Sequence, residues 1–458
     1  MIAKRRRRIL AQDFRVNLSN FRAFSETGLI NIRPLTILVG ENSTGKTSFL
    51  AALRYCFDLT QRPKSGYFNI PPFDLGSYDD IVHQSSQSST NQRFSLTVEK
   101  TVDVATGGTM IMNPKAKPNL QNCTFRVFFC SRFGDVSLSS FVFLFEDIKI
   151  EYGAGQNSFL KIFFKEREIK LPDRTRGFFK AEVGDIRAED LRSISYKIFD
   201  YYFSSSATTK GKKRDDSYIL SAAQGFDAFI SSTYSLHSSP PVRSVPRRVY
   251  TSSDEVGFAD QTHAPHELNR LKRADHRRWS RLNNGLNRFG KLSGLFTRFD
   301  ITKLTRQDAG PFQLKVTVRG RSSNLADVGY GVSQSLPIMT DLIESRSDRS
   351  AFLFQQPEVH LHPRAQAALG TIFSEFISDH PKSYIISETH SDYLIDRIRI
   401  EVRNGKISSD MVSILYFEPK DNDVSIHQIY IDNSGNVVGA PPSYRYFFIS
   451  EQEKVLGL

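Results

Sequence analysis

The chain has 458 residues, 39% of them hydrophobic and 24% charged, with a formal net charge of +12. This is the composition of an ordinary soluble globular protein. No apolar run approaches the roughly 20 residues of a membrane-spanning helix. The basic residues 1–8 are followed by no apolar stretch ending in a cleavage site, so no secretory leader is expected and the cytoplasm is the expected place. The three cysteines, Cys56, Cys123 and Cys130, have no paired spacing and no histidine cluster beside them. Buried reduced thiols are therefore expected, not a zinc site. The positive balance favours a polyanion, with nucleic acid as the first candidate, although a solvated basic surface needs no partner.

In chain order, the basic run at residues 4–8 reads as a solvated tail or a phosphate-binding arm. Residues 14–24 and 28–32 read as two strands joined by a turn. The apolar run 34–39 reads as a buried strand. It leads into Gly40-Glu41-Asn42-Ser43-Thr44-Gly45-Lys46-Thr47-Ser48, which fits the P-loop pattern G-x-x-x-x-G-K-[ST], and a helix follows over 48–57. Strand, glycine-rich loop and helix in that order suit a bound phosphate. Gly40 and Gly45 let the backbone turn and present N–H groups, and the helix offers its positive end. Lys46 reaches the β- and γ-phosphates of ATP, and Thr47 supplies a hydroxyl for Mg²⁺.

Residues 58–90 read as loop. Residues 92–165 alternate with period two at 93–98, 123–129, 141–145, 148–152 and 160–164, the mark of an antiparallel sheet with one buried face. Residues 204–216 and 231–264 read as mobile surface loops. Leu268, Leu271, Trp279, Leu282, Leu286 and Phe289 recur at helical spacing, with no sustained heptad. A strand returns at 312–318. The last third alternates strand (351–354, 383–387, 412–417, 425–431) with helix (364–377, 392–402), the rhythm of a parallel sheet. The P-loop and this region then form one ATPase fold with a large insertion between them.

Four further stretches follow the P-loop. One is Asp327-Val-Gly-Tyr-Gly331-Val-Ser333-Gln334-Ser-Leu-Pro337. Another is Phe352-Leu-Phe-Gln355-Gln356-Pro-Glu358-Val-His360-Leu-His362-Pro363. A third is Ile386-Ser-Glu388-Thr-His390-Ser391, directly after a strand. The weakest is residues 72–84, ending at Gln84. In this order they resemble the ABC-type ATPase heads of the SMC, RecF and OLD kind. Within those, the chain looks most like the compact AAA-family ATPases of bacterial antiphage defence, such as the Septu- and PARIS-like subunits. The resemblance rests on motifs and spans residues 14 to about 450; over 100–260 it is one of character only.

The resemblance implies an α/β P-loop NTPase of ABC-head type. Its mixed parallel sheet would carry helices, an antiparallel β lobe, and a helical insertion bearing the signature motif. The expected parts are 1–57 (N-terminal core with the P-loop), 58–200 (β lobe), 201–345 (loop-rich helical lobe ending in the signature) and 346–458 (C-terminal core). ATP and Mg²⁺ are the implied ligands. Gly331, Ser333 and Gln334 would face nucleotide held by residues 40–48 of a second subunit, Gly331 by allowing close approach and Ser333 by donating at a helix N-terminus. Gln355 stands where a Mg²⁺-organising carboxylate is expected, and Gln356 where a catalytic glutamate is expected. Neither amide is a base at neutral pH, and glutamine is a weak Mg²⁺ ligand. Three readings follow: slow hydrolysis, a base from elsewhere (Glu358 or Glu388), or a glutamine introduced to trap ATP. His390 takes the place of the switch histidine, and Gln84 that of the Q-loop glutamine near Mg²⁺. His360 and His362 read as structural histidines.

The implied function is an ATPase, slow if active, that pairs on ATP as a homodimer or higher homo-oligomer. It would act as a switch or scaffold for a separate effector, a nuclease or toxin, in antiphage defence. With only 68 residues after His390, no nuclease domain is expected in this chain. The alternatives are a RecF-like DNA-repair clamp and an ATP-bound scaffold that never turns over.

Overall fold

A computed structural model describes residues 14–59, 68–83, 93–104, 119–154, 159–169, 191, 198, 213–243, 245–251, 263–307, 310–345, 347–444 and 446–456. The basic run at 4–8 and Gln84 lie outside them. At its centre is a seven-stranded sheet in the spatial order Ser235–Ser239, Ser350–Gln355, Tyr384–Glu388, Leu35–Gly40, Val412–Lys420, Asp423–Ile431, Val437–Val438. The first five strands are mutually parallel, and the last two add as antiparallel hairpin strands. The four inner parallel strands read as unbroken apolar runs because both faces are covered. Leu38, Leu353, Ile386 and Leu415 belong to one core, while Ile37, Phe352, Phe354, Ile385 and Ile414 belong to another.

The first core joins the P-loop helix, Lys46–Phe57, to a nine-stranded antiparallel sheet. The expected strands at 92–165 are all present there as Phe94–Asp103, Leu120–Arg132, Asp135–Phe145, Ile148–Gly153 and Phe159–Phe164. Phe14–Phe21 pairs with Phe94–Asp103, so the first strand extends this lobe and not the central sheet. Alternation places Phe94, Leu96, Val98 and Val102 inward, and Lys100 falls on the same buried face. Its ammonium donates to the Ser232 carbonyl at 3.2 Å and lies over the Phe229 ring. Burial pulls its pKa down to about 7.

The second core holds the helical lobe. Leu268, Leu271, Trp279, Leu282, Leu286 and Phe289 are all buried, as their spacing predicts. They lie on two helices, His263–Ala274 and His276–Ser293, separated at Asp275, which caps the second by accepting from the Arg278 amide. A three-stranded sheet follows (Arg298–Lys303, Phe312–Val318, Arg321–Asn324), then the helix Tyr330–Glu344. Helices Pro363–Asp379 and Asp392–Arg403 cover the same sheet face.

Two expectations need correction. The segment 231–264 is not simply surface loop, because Ser235–Ser239 is the edge strand of the central sheet, paired in parallel with Ser350–Gln355. The stretch 204–216 read as loop runs into the helix Lys213–Ser231. Among the described residues no helix is long and apolar enough to cross a membrane.

Candidate nucleotide site

The P-loop leaves a central strand and turns at Gly40, whose φ of 147° is open mainly to glycine. A Cβ there would sit 2.5 Å from the Phe417 carbonyl oxygen. Ser43 and Gly45 also have positive φ, and Thr44 Oγ1 donates to the Glu41 carbonyl at 2.8 Å, closing the loop onto itself. Gly45 caps the helix that begins at Lys46. A Cβ on Gly45 would meet the Phe24 ring at 2.9 Å, so that aromatic wedges against the loop's last turn.

Lys46 is buried, and its Nζ curls over the loop to donate to the carbonyls of Gly40 (3.1 Å) and Glu41 (2.5 Å). Burial lowers its pKa, while Glu388 and Glu41 act to raise it. Thr47 Oγ1 donates to Glu388 Oε2 at 2.9 Å. Glu388 ends the neighbouring strand, in register with Leu38 on one side and Gln355 on the other. The structure thus brings together the P-loop, Gln355 and Glu388 at the carboxyl ends of three adjacent strands. Ligands of open α/β sheets bind at such ends.

The loop after Gln355 is bent sharply. Gln356 has φ 42° and His360 φ 66°. The Gln356 amide donates to the Glu388 carbonyl at 2.9 Å, and Glu358 Oε1 accepts from the His390 amide at 2.8 Å. Burial pushes the Glu358 carboxyl upward, offset in part by that amide. Burial, and then the Lys46 charge, lower the His390 imidazole, opposed by Glu388. Ser391 caps the following helix by accepting from the Leu394 amide at 3.1 Å, which fixes the loop that carries His390. His362 caps the helix Pro363–Asp379 through Nδ1, a structural role for that histidine. Among the described residues no group of histidines, cysteines and acids could hold a metal ion on its own.

The signature stretch begins the helix Tyr330–Glu344. Gly331 packs so closely that a Cβ would lie 3.0 Å from the His360 carbonyl. Ser333 is buried and donates to the Tyr330 carbonyl at 2.8 Å. The Gln334 side chain is turned inward, with Oε1 accepting from the Arg243 amide (3.0 Å) and Nε2 donating to the Arg243 carbonyl (3.3 Å). Gln84, expected near Mg²⁺, lies outside the described residues. The segment just before it lies beside the first strand, where the His83 amide donates to the Asn20 carbonyl at 3.0 Å.

Arg243 was not read from the sequence. It follows the edge strand and is only 2% exposed. Its guanidinium donates to Ser239 Oγ and to the carbonyls of Gln355 and Gln356, at 2.9, 3.3 and 3.4 Å. Burial lowers its pKa to about 10, opposed by Glu358. It ties the signature helix to the bent loop. A lone arginine in a serine- and proline-rich stretch carries no periodic signal. Arg243→Ala is expected to cost about 3 kcal/mol, because it strips Ser239 Oγ and the Gln355 and Gln356 carbonyls of their donor and removes a positive charge that favours the buried Glu358 carboxylate. The same change should cost clearly less in a Glu358→Gln background. Urea unfolding of the two single variants and the double variant measures this, and equal costs would show that the two residues do not interact.

Residues 14–395 match the family described as AAA ATPase domain. Three solved structures resemble the chain. The SmcHead bound to the C-winged helix domain of ScpA shares 8% identity at a TM-score of 0.40, covering 92% of this chain and 98% of that one. The Smc head domain with an extended coiled coil bound to the C-terminal domain of ScpA, from Pyrococcus furiosus, shares 10% at 0.41, covering 96% and 98%. The SMC head domain from Thermotoga maritima shares 11% at 0.35, covering 91% and 98%. No curated protein matches. The glycine turns at 40 and 45, the lysine and threonine at the helix start, and the carboxylate across from them all lie within the matched span; the chain belongs to the AAA ATPase domain family.

Proposed function

We propose that this chain binds ATP with Mg²⁺ and pairs through the bound nucleotide as an ABC-type head, acting as a slow switch. The observation that carries this reading is the P-loop, opened by Gly40 and Gly45 at the head of the Lys46–Phe57 helix with Thr47 facing Glu388. The residues fit the ligand. Backbone amides of 41–46 would hold the phosphates, Lys46 would exchange its loop carbonyls for phosphate oxygens, and Thr47 would reach the metal. Bound Mg²⁺ neutralises charge that builds on the phosphates. His390 feels the charges of Lys46 and Glu388 and would face the terminal phosphate. Glu358, whose carboxyl burial pushes upward, is the candidate base next to Gln356 in sequence.

Pairing is supported by the face around this site. Val242, Tyr330 and Tyr393 are exposed beside Arg243, the signature helix and the His390 loop. A nucleotide that bridges two copies favours the closed pair by its differential affinity for that state. Slow turnover follows from Gln356, since an amide cannot take a proton from water. A separate effector and a role in antiphage defence, as in Septu- or PARIS-like systems, extend this reading from the motif resemblance.

Phosphate release from ATP by the purified chain, beside Gln356→Glu, is the test. The parent is expected to be slow and the variant faster by about 100-fold or more, the range of general-base catalysis. A variant no faster than the parent would show that position 356 is not where the base belongs.

One observation favours a second reading, a DNA-contacting clamp. Between residues 263 and 306 Lys and Arg outnumber Asp and Glu eleven to three. Arg288, Lys291 and Arg298 line a surface groove of about 520 Å³ with Asn284 and Asn287. Salt-sensitive DNA affinity that depends on Lys46 is the signature of that reading.

A further inference from the structure

We infer that the acidic ligand of the nucleotide's Mg²⁺ is Glu388, and that the role held by a carboxylate at the Gln355 position has moved one strand across the sheet. The inference rests on the nucleotide-binding reading above and assigns the metal ligand within it.

Magnesium is a hard cation that is usually held through one or two carboxylates together with substrate phosphates. The Ser350–Gln355 strand ends in an amide and Gln356 follows it, so its end offers no such group. The register supplies one. Gln355 pairs with Glu388, and Glu388 pairs with Leu38 two residues before the loop glycine. Opposed residues of parallel strands share a face, and the strands lie about 4.8 Å apart. Leu353 and Ile386, each two residues back, both belong to the core under the P-loop helix. Gln355 and Glu388 therefore point to the side on which that helix begins. Glu388 is the one set next to the P-loop strand.

The contacts agree. Thr47 Oγ1, the hydroxyl that the P-loop pattern gives to the metal, donates to Glu388 Oε2 at 2.9 Å. The carboxylate is 5% exposed and feels the Lys46 ammonium. A buried acid beside a hydroxyl and an ammonium is held in place before any ligand arrives. Gln355, 6% exposed on the same face, has an Nε2 without a hydrogen-bond partner, an unusual state for a buried amide. Glu358 is otherwise engaged, by the His390 amide and the charge of Arg243.

The exchange of positions can be tested by reversing it. A fluorescent ATP analogue is titrated into the full chain with Mg²⁺ and with EDTA, and Mn²⁺ is followed by EPR in the nucleotide complex. The parent is expected to bind more tightly with the metal. Glu388→Gln should bind ATP no more weakly than the parent in EDTA, having lost an anion beside the phosphate site, and should lose the metal-dependent gain by about 10- to 100-fold, the scale seen even for groups that only support a metal ligand. Its Mn²⁺ signal should be that of Mn²⁺ on the nucleotide alone, as in a protein-free control. Adding Gln355→Asp to Glu388→Gln should restore both readouts, which a merely structural role for Glu388 would not produce. Should Glu388→Gln fail to fold, Glu388→Asp serves, with a weakened metal gain that Gln355→Asp repairs; no repair would overturn the inference. Full metal dependence in Glu388→Gln, or its loss in Gln355→Ala, would overturn the inference while leaving nucleotide binding intact. A folded parent that binds no nucleotide under either condition would overturn the inference and the underlying function together.

Discussion

Lys46→Ala is expected to weaken ATP binding by about 100-fold, the worth of a charge-assisted contact to phosphate, while the fold survives. The lysine's present bonds run to the Gly40 and Glu41 carbonyls at the edge of the site. Its removal also relieves the chain of a buried charge that burial already disfavours. Thermal melting should therefore be nearly unchanged, which separates loss of the site from loss of the protein. Equilibrium titration of a fluorescent ATP analogue measures the binding. Affinity equal to the parent's would remove the P-loop assignment, and with it the proposed pairing.

Gly40→Ala carries the largest expected cost in stability, about 3 kcal/mol or more, from a forbidden backbone angle and a steric clash together. The added methyl would come within 2.5 Å of the Phe417 carbonyl, a backbone atom of an adjacent central strand that cannot swing aside. Relief requires the P-loop strand to part from Val412–Lys420. Denaturant unfolding reads the cost directly. Gly45→Ala is the milder neighbour, because its methyl meets a ring, and a ring can give. If the two variants lost the same stability, the contact with Phe417 would not be the reason Gly40 is required.

Some of this was legible in the sequence because the chemistry demands contiguous, unusual residues. Gly40 and Gly45 stand at the fixed spacing of one short motif, and the run Ala351 to Phe354 announces a buried strand. Leu268 to Phe289 were readable because burial of one helix face imposes its spacing. Other features were hidden for physical reasons. The strand Ser235–Ser239 is a half-covered edge strand made mostly of serine, so it lacks an apolar pattern. The pairing of Phe14–Phe21 with Phe94–Asp103 spans a long stretch of chain, and no local preference encodes it. The alignment of Gln355 with Glu388 is a matter of register between strands. Sequence named both residues but could not show that they face the same way.

The central sheet is shared between two cores, with neighbours such as Leu353 and Phe354 packing into opposite halves of the molecule. Neither half therefore owns a complete wall of its own. If one lobe loosens, the strands that the other leans on lose half their cover, so the β lobe and the helical lobe do not melt separately. Cooperativity in this chain is set by the sheet, and the nucleotide site lies at the end of the strands where the two halves depend on each other.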